Sequence, residues 1–204
     1  MGKLIFFDKD HTYQVDGEIV PSVSEILRFM SREIYDTVNQ YTLDNAADRG
    51  RRVHKACENI DRYGSCEITR DIEPYVRAYM KFINDRSPQW MRIEHASHNA
   101  ELGYAGTIDR YGLICERNYI VDIKTNSQIK TPLVTAQLNG YDLSLQLEGI
   151  PVDGLAVLQL RNDGEYRFRE IDKNPATFLA CLTLHKALKK KSRNKKEDSN
   201  GTAN

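Results

Sequence analysis

Asp109, Asp122 and Lys124 are the residues in this 204-residue chain whose types and spacing could do chemistry. Asp109 ends the run Gly-Tyr-Ala-Gly-Thr-Ile-Asp that begins at Gly103, and the other two lie in Tyr-Ile-Val-Asp-Ile-Lys-Thr, Tyr119 to Thr125. That second run is β-branched and aromatic, which predicts a strand. Alternate side chains on a strand share a face, so Asp122 and Lys124 point one way while Val121 and Ile123 point into a core. An acid and an ammonium on one face, with a second acid on the neighbouring strand, make a compact site for a divalent cation and a water. Cleavage of a phosphodiester needs such a site, because a hydroxide must form, phosphate charge must be neutralised and the leaving oxygen stabilised. On its own, Asp-x-Lys is more often a solvated pair. The surrounding elements decide.

Gly103 to Tyr111 and Tyr119 to Thr125 read as a central antiparallel pair, with Leu113 to Cys115 extending it. Gly103 and Gly106 inside a strand predict a bulge or a close approach of another group. After Pro132, Leu133 to Glu148 reads as a helix with Val134, Leu138, Tyr141 and Leu145 at helical spacing and Gly149 as its stop. Gln137 and Tyr141 lie four apart on it. Val152 to Leu160 is then a strand, so 119–160 forms one βαβ unit with a right-handed crossover, and Tyr166 to Ile171 returns as a hairpin.

Upstream, Leu4 to Phe7 and His11 to Val15 are short strands, with Asp16-Gly17 turning into Ile19 and Val20. Ser22 and Glu25 form a capping box that starts a helix. Leu43 to Arg62 reads as a longer helix carrying Gly50, His54 and Glu58, the last two stacked on one face. Glu58 is expected to be solvated. Asp71 is the expected cap of a helix to about Asp85, and Arg92 to Ser97 a strand carrying Glu94, followed by Glu101. Lys173 to about Lys191 closes the chain as a helix.

Lysine plus arginine and aspartate plus glutamate both total 29, so the formal charge is zero. The distribution is uneven: seven bases and no acid lie between Lys186 and Lys196, which leaves 29 − 7 = 22 bases against 29 acids elsewhere. A neutral total therefore does not argue against a nucleic-acid partner. Length and composition fit one domain, residues 1–190, with a basic, polar, flexible tail at 191–204. Cys57, Cys66, Cys115 and Cys181 show no metal-type spacing and, with no leader segment evident, are expected to be reduced thiols in a cytoplasmic protein. No run approaches the length of a membrane span.

Gly106-x-x-Asp109, Asp122-x-Lys124-Thr125, Gln137-x-x-x-Tyr141 and Gly50-x-x-x-His54 together resemble the PD-(D/E)XK nuclease superfamily, in its RecB-type and phage-exonuclease branch. Pro21-Ser-Val-Ser-Glu-Ile-Leu27 is similar to the N-terminal entry of the phage-type members. The resemblance implies an α/β fold with a restriction-endonuclease-like core, a central mixed sheet flanked by helices. It implies a Mg²⁺- or Mn²⁺-dependent deoxyribonuclease, an exonuclease of phage-type recombination or repair. On that basis Asp109 and Asp122 hold the metal with the carbonyl of Ile123, and His54 adds a nitrogen ligand, which admits Mn²⁺. An upstream acid supplements them, with Glu101 preferred to Glu94. Lys124 orients or helps deprotonate the attacking water, and Gln137 and Tyr141 position the water or the strand. Some relatives hold an iron–sulfur cluster through cysteines grouped near the C-terminus; Cys181 stands alone there, so no cluster is expected. DNA is the expected partner, and a homo-oligomer or a recombination partner protein is left open. The alternatives are a nucleic-acid-binding protein of this fold without catalysis, and a structure-specific endonuclease.

Overall fold

The computed structural model describes residues 2–7 and 10–200, with side chains described through Lys190. The chain begins with a three-stranded antiparallel sheet, β1 (Leu4–Phe7), β2 (Thr12–Val15) and β3 (Glu18–Val20). Four helices follow: α1 (Val23–Ile26), α2 (Arg28–Tyr35), α3 (Gln40–Tyr63) and α4 (Glu73–Arg86). Ser22 caps α1 as its sequence predicts, its hydroxyl accepting from the Glu25 N–H at 3.0 Å. Asp71 does not cap α4. Ile72 holds that position without a side-chain bond, and the Asp71 carboxylate is instead taken by Arg52 and Thr69.

The second sheet has five strands in the order of the sequence: β4 (Gln89–Asn99), β5 (Tyr104–Ile114), β6 (Arg117–Lys124), β7 (Gly154–Leu160) and β8 (Tyr166–Ile171). All neighbours are antiparallel except β6 and β7, which α5 (Thr131–Leu147) links as a parallel pair. The fold is therefore the expected mixed sheet flanked by helices. The last helix, α6 (Ala176–Asn200), runs past the Lys191 end expected for it. Of the tail expected at 191–204, the main chain to Asn200 continues α6, while residues 201–204 and the side chains beyond Lys190 lie outside the described residues.

Both faces of the large sheet are covered, so its central strands read as nearly continuous apolar runs. One face packs Val53, Ala56 and Cys57 of α3 and Tyr75, Tyr79 and Phe82 of α4 against Val121, Ile123 and Leu158. The other packs Leu138, Tyr141 and Leu145 of α5 and Phe178 of α6 against Tyr111, Ile120 and Val157. Asp122 sits between Val121 and Ile123 on β6, so it faces α5 and not solvent. Among the described residues no helix is long and apolar enough to cross a membrane. The four cysteines are free thiols.

Candidate active site

A divergence of two strands creates the site. β5 and β6 pair from Ile114–Arg117 to Arg110–Val121, and no ladder pair joins them beyond that point. The main chain of Ile123 would then have an unbonded edge. Side chains fill it: the Asp109 carboxylate accepts from the Ile123 N–H through Oδ2 at 2.7 Å, and His54 of α3 bonds the Ile123 carbonyl through Nε2 at 2.8 Å. A carbonyl only accepts, so Nε2 carries the proton, and in the neutral ring the lone pair belongs to Nδ1. Nδ1 faces Asp109 Oδ1 at 3.6 Å and Glu94 Oε1 at 3.9 Å.

Glu94, not Glu101, completes this group. The β4–β5 ladder pairs Ile93 with Arg110 and His95 with Ile108, which brings Glu94 opposite Asp109. Its backbone is left-handed, φ 46°, a conformation a non-glycine residue rarely holds without other contacts fixing it. Glu101 is exposed in the turn between β4 and β5 and does not line the site. The sequence order places Glu101 nearer the glycine-rich strand, but antiparallel pairing carries it to the far end.

On the α5 side, Asp122, Lys124, Gln137 and Tyr141 form one chain of contacts. Lys124 Nζ lies 2.9 Å and 2.7 Å from the two oxygens of Asp122 and donates to Gln137 Oε1 at 3.2 Å; Gln137 Nε2 in turn donates to the Tyr141 hydroxyl at 3.1 Å. Lysine has donors only, which fixes the Gln137 amide with its oxygen toward the ammonium. Tyr141 reaches β5 because residue 106 is glycine: a β-carbon there would stand 2.7 Å from the Tyr141 ring. The close approach read from Gly106 is thus to a side chain. Burial, and after it the charges of Asp109 and Asp122, hold the Tyr141 phenol well above its ordinary value, so it stays a neutral hydroxyl.

Sequence reasoning missed a third group behind Glu94 and Asp109. Arg110 is completely buried; its Nε donates to Asp61 Oδ2 at 2.6 Å, and its Nη1 donates to Glu94 Oε1 at 2.9 Å and to the Asp109 carbonyl at 2.6 Å. Tyr79 of α4 donates to the same Asp61 oxygen at 2.5 Å. The available signal was a charged residue inside a strand with apolar neighbours on both sides, Ile108 and Leu113 among them. Glu58 is half-buried and taken by Lys55 and Arg62, each at 2.9 Å, so it is a paired residue at the edge and not a free one.

These residues fit a divalent cation. Nδ1 or Nε2 of His54 and one oxygen each of Glu94 and Asp109 lie within 4.8 Å of one another, and this is the one such group among the described residues. Asp122 stands outside that set, with its Oδ2 buried and held by the Lys124 ammonium at 2.7 Å. Four carboxylates (Asp61, Glu94, Asp109, Asp122) meet two fixed cations (Arg110, Lys124), an excess of two negative charges. The carboxyls register that excess. Burial and then the charge of Asp109 push Glu94 up to about 7, against the pull of His54 and Arg110. Burial also raises Asp122, with Lys124 opposing the rise and Asp109 adding to it. Burial alone would lower the Lys124 ammonium, but Asp122 and Asp109 outweigh it and hold it above the ordinary lysine value.

The group opens on a cleft of about 1430 Å³ between the small sheet, α2, α3 and the end of β6. Arg28, Arg32, Arg51, Lys55 and Arg62 line it, and Thr107, Asp109, Asp122, Lys124 and Gln137 lie along it. Negative charge thus sits within a basic rim.

No protein-family model matches the chain, and no curated protein matches it. Solved structures do. An alkaline exonuclease (LHK-Exo) from Laribacter hongkongensis is 15% identical over 82% of this chain and 92% of its own, with a TM-score of 0.43. The same exonuclease in complex with dAMP is 17% identical over 86% and 94%, with a TM-score of 0.42. A structure titled SSO0001 is 11% identical over 56% and 57%, with a TM-score of 0.37. At this distance the functional assignment has to come from the site's own residues.

Proposed function

We propose that this protein is a divalent-metal-dependent nuclease acting on DNA, an exonuclease of phage-type recombination or repair, with residues 1–190 as its catalytic domain. The observation that carries the reading is the convergence of the His54 ring and the carboxyl groups of Glu94 and Asp109 beside the Asp122–Lys124 pair in a cleft with a basic rim. His54, Glu94 and Asp109 would hold Mg²⁺ or Mn²⁺, with Asp122 and the Ile123 carbonyl at its edge. A nitrogen among oxygens accommodates Mn²⁺ readily. When bound, such an ion neutralises phosphate charge and lowers the pKa of a coordinated water.

The chain's own residues do the rest. Asp109 Oδ2 is committed to the Ile123 N–H, which leaves Oδ1 aimed at the cleft. Lys124, an ammonium while Asp122 and Asp109 face it, can donate to a phosphate oxygen or hold the attacking water by its lone pair. Gln137 keeps its Nζ aimed, and Tyr141 keeps Gln137 aimed. Asp122, at 2.7 Å from Nζ, holds the Lys124 ammonium in place.

The test is incubation of purified protein with end-labelled linear single- and double-stranded DNA and with a closed circle, in Mg²⁺, Mn²⁺ or EDTA. Nucleotides released from linear DNA only, and only with metal, are expected. Tight DNA binding without cleavage under every condition would give the protein the binding-only role, and nicking of the closed circle would make it an endonuclease.

A further inference from the structure

Arg110 is the largest fully buried side chain among the described residues, and a buried cation is expensive unless its geometry compensates. Its partners come from three places: Asp61 on α3, Glu94 on β4 and the main chain of Asp109 on its own strand. Asp61 is itself clamped by Tyr79 of α4. Across the ladder Arg110 pairs with Val121 and lies on the α3–α4 side of the sheet, so its guanidinium does not line the cleft. Its Nη2 is buried with no hydrogen bond. The guanidinium is therefore not placed to satisfy all its own donors; it is placed so that Nη1 bridges the two acidic residues that face His54.

The bridge has a specific consequence for Glu94. One carboxylate oxygen is spent on Arg110, which fixes a side chain whose backbone already holds a left-handed conformation. Glu94 and Asp109 would otherwise repel each other across the antiparallel pair, and Glu94 could turn out to solvent. We propose that Arg110, anchored by Asp61 and Tyr79, is a positioning residue that holds Glu94 and the Asp109 main chain in place for a divalent cation. It acts through Glu94 and touches neither the ion nor the DNA. This rests on the proposed nuclease site, and the test is chosen to separate the two.

The measurement is a calorimetric titration of DNA-free protein with Mn²⁺, supported by the electron paramagnetic resonance spectrum of the bound ion. Outer residues that orient metal ligands typically account for about ten- to a hundredfold in affinity. Arg110→Met should weaken Mn²⁺ binding by about that factor and alter the spectrum. In a Glu94→Gln background the same change should cost less than about twofold, because the residue it acts through is already lost. Asp61→Asn keeps the shape of the network and should weaken Mn²⁺ binding in the same direction, so it carries the test if Arg110→Met does not fold. Unchanged Mn²⁺ affinity in folded Arg110→Met or in Asp61→Asn overturns the inference. So does a loss that adds in full to that of Glu94→Gln, since the arginine would then act through the fold at large. If the wild-type protein cleaves DNA yet Arg110→Met binds Mn²⁺ normally, the inference fails alone. If the wild type binds no Mn²⁺, it fails together with the proposed function.

Discussion

Two cations flank Asp109 and both are matched with carboxylates, yet they are built for opposite tasks. Arg110 has no exposed surface and is held by Asp61, Glu94 and the Asp109 carbonyl. Lys124 keeps 24% of its side chain exposed to the cleft and is held by Asp122 and by Gln137. Arginine's planar fork suits the first position, where one group must orient two or three acceptors at once. Lysine's single, adaptable nitrogen suits the second, where the proposed function requires the partner to change as substrate arrives. Breaking a buried pair leaves an uncompensated charge, whereas a pair on a cleft can trade its partner for a phosphate. One pair is a frame and the other is a tool.

The sharpest test of this division removes the residue between them. Asp109→Ala should abolish metal-dependent cleavage and Mn²⁺ binding while the fold persists, measured by nuclease assay, calorimetry and circular dichroism. Full cleavage by this variant would overturn the site assignment. Glu94→Ala should follow in the same direction, with Mn²⁺ affinity down by about tenfold or more. Glu101→Ala should leave both readouts within about twofold, because its side chain stands in an exposed turn away from the cleft.

Lys124→Ala comes next and addresses the tool directly. Turnover should fall by about 10²- to 10⁴-fold, the range typical for a positioned proton donor or acceptor. Mn²⁺ binding should survive, since an ammonium cannot ligate a cation. If metal binding vanished along with turnover, Lys124 would belong to the frame after all. Gln137→Ala removes only the bond that aims Nζ. A hydrogen bond to a charged group is worth about 1.5 to 3 kcal/mol, which corresponds to a loss in turnover of roughly ten- to a hundredfold. An unchanged rate would show that Asp122 alone orients the ammonium.

Much of the tool was readable from spacing and little of the frame. Asp122 and Lys124 announce themselves two apart on an evident strand, and Gln137 and Tyr141 four apart on an evident helix. His54 was legible through Gly50 and its helical position, and the structure adds that it reaches the site by way of the Ile123 carbonyl. Glu94 was not legible as the better acid, because the choice depends on antiparallel register and on a left-handed residue that no propensity favours. Asp61 was hidden for another reason. It sits beside Arg62 in a charged stretch of α3, and only the packing of α3 and α4 on the sheet turns it inward onto Arg110. α2 was legible only as a continuation of the helix that starts at Ser22, because no glycine or proline marks the break at Leu27.

The smallest expected effect lies at the rim, beyond both pairs. Among the described residues Arg28 and Arg32 line the cleft and form no ion pair, whereas Arg51 is paired with Asp48 and Lys55 with Glu58. Free exposed cations are the ones available to a phosphate. Each phosphate contact releases counterions, so log affinity falls with log salt by about 0.9 per contact on duplex DNA and about 0.7 on single strands. Replacing both arginines with alanine should therefore flatten the salt dependence by about 1.8 on a duplex and about 1.4 on a single strand. The binding series should use a cleavage-inactive Asp109→Ala background with and without the two changes, over a range of monovalent salt and with no divalent ion. Cleavage at low salt and saturating DNA, measured in the otherwise intact enzyme, should stay close to normal because Lys124 and the acids are untouched. Superimposable salt lines would remove α2 from the DNA path and leave capture to other parts of the chain, the basic run from Lys186 to Lys196 first among them. A flattening on one form of DNA and not the other would identify the strand state that lies along this wall of the cleft.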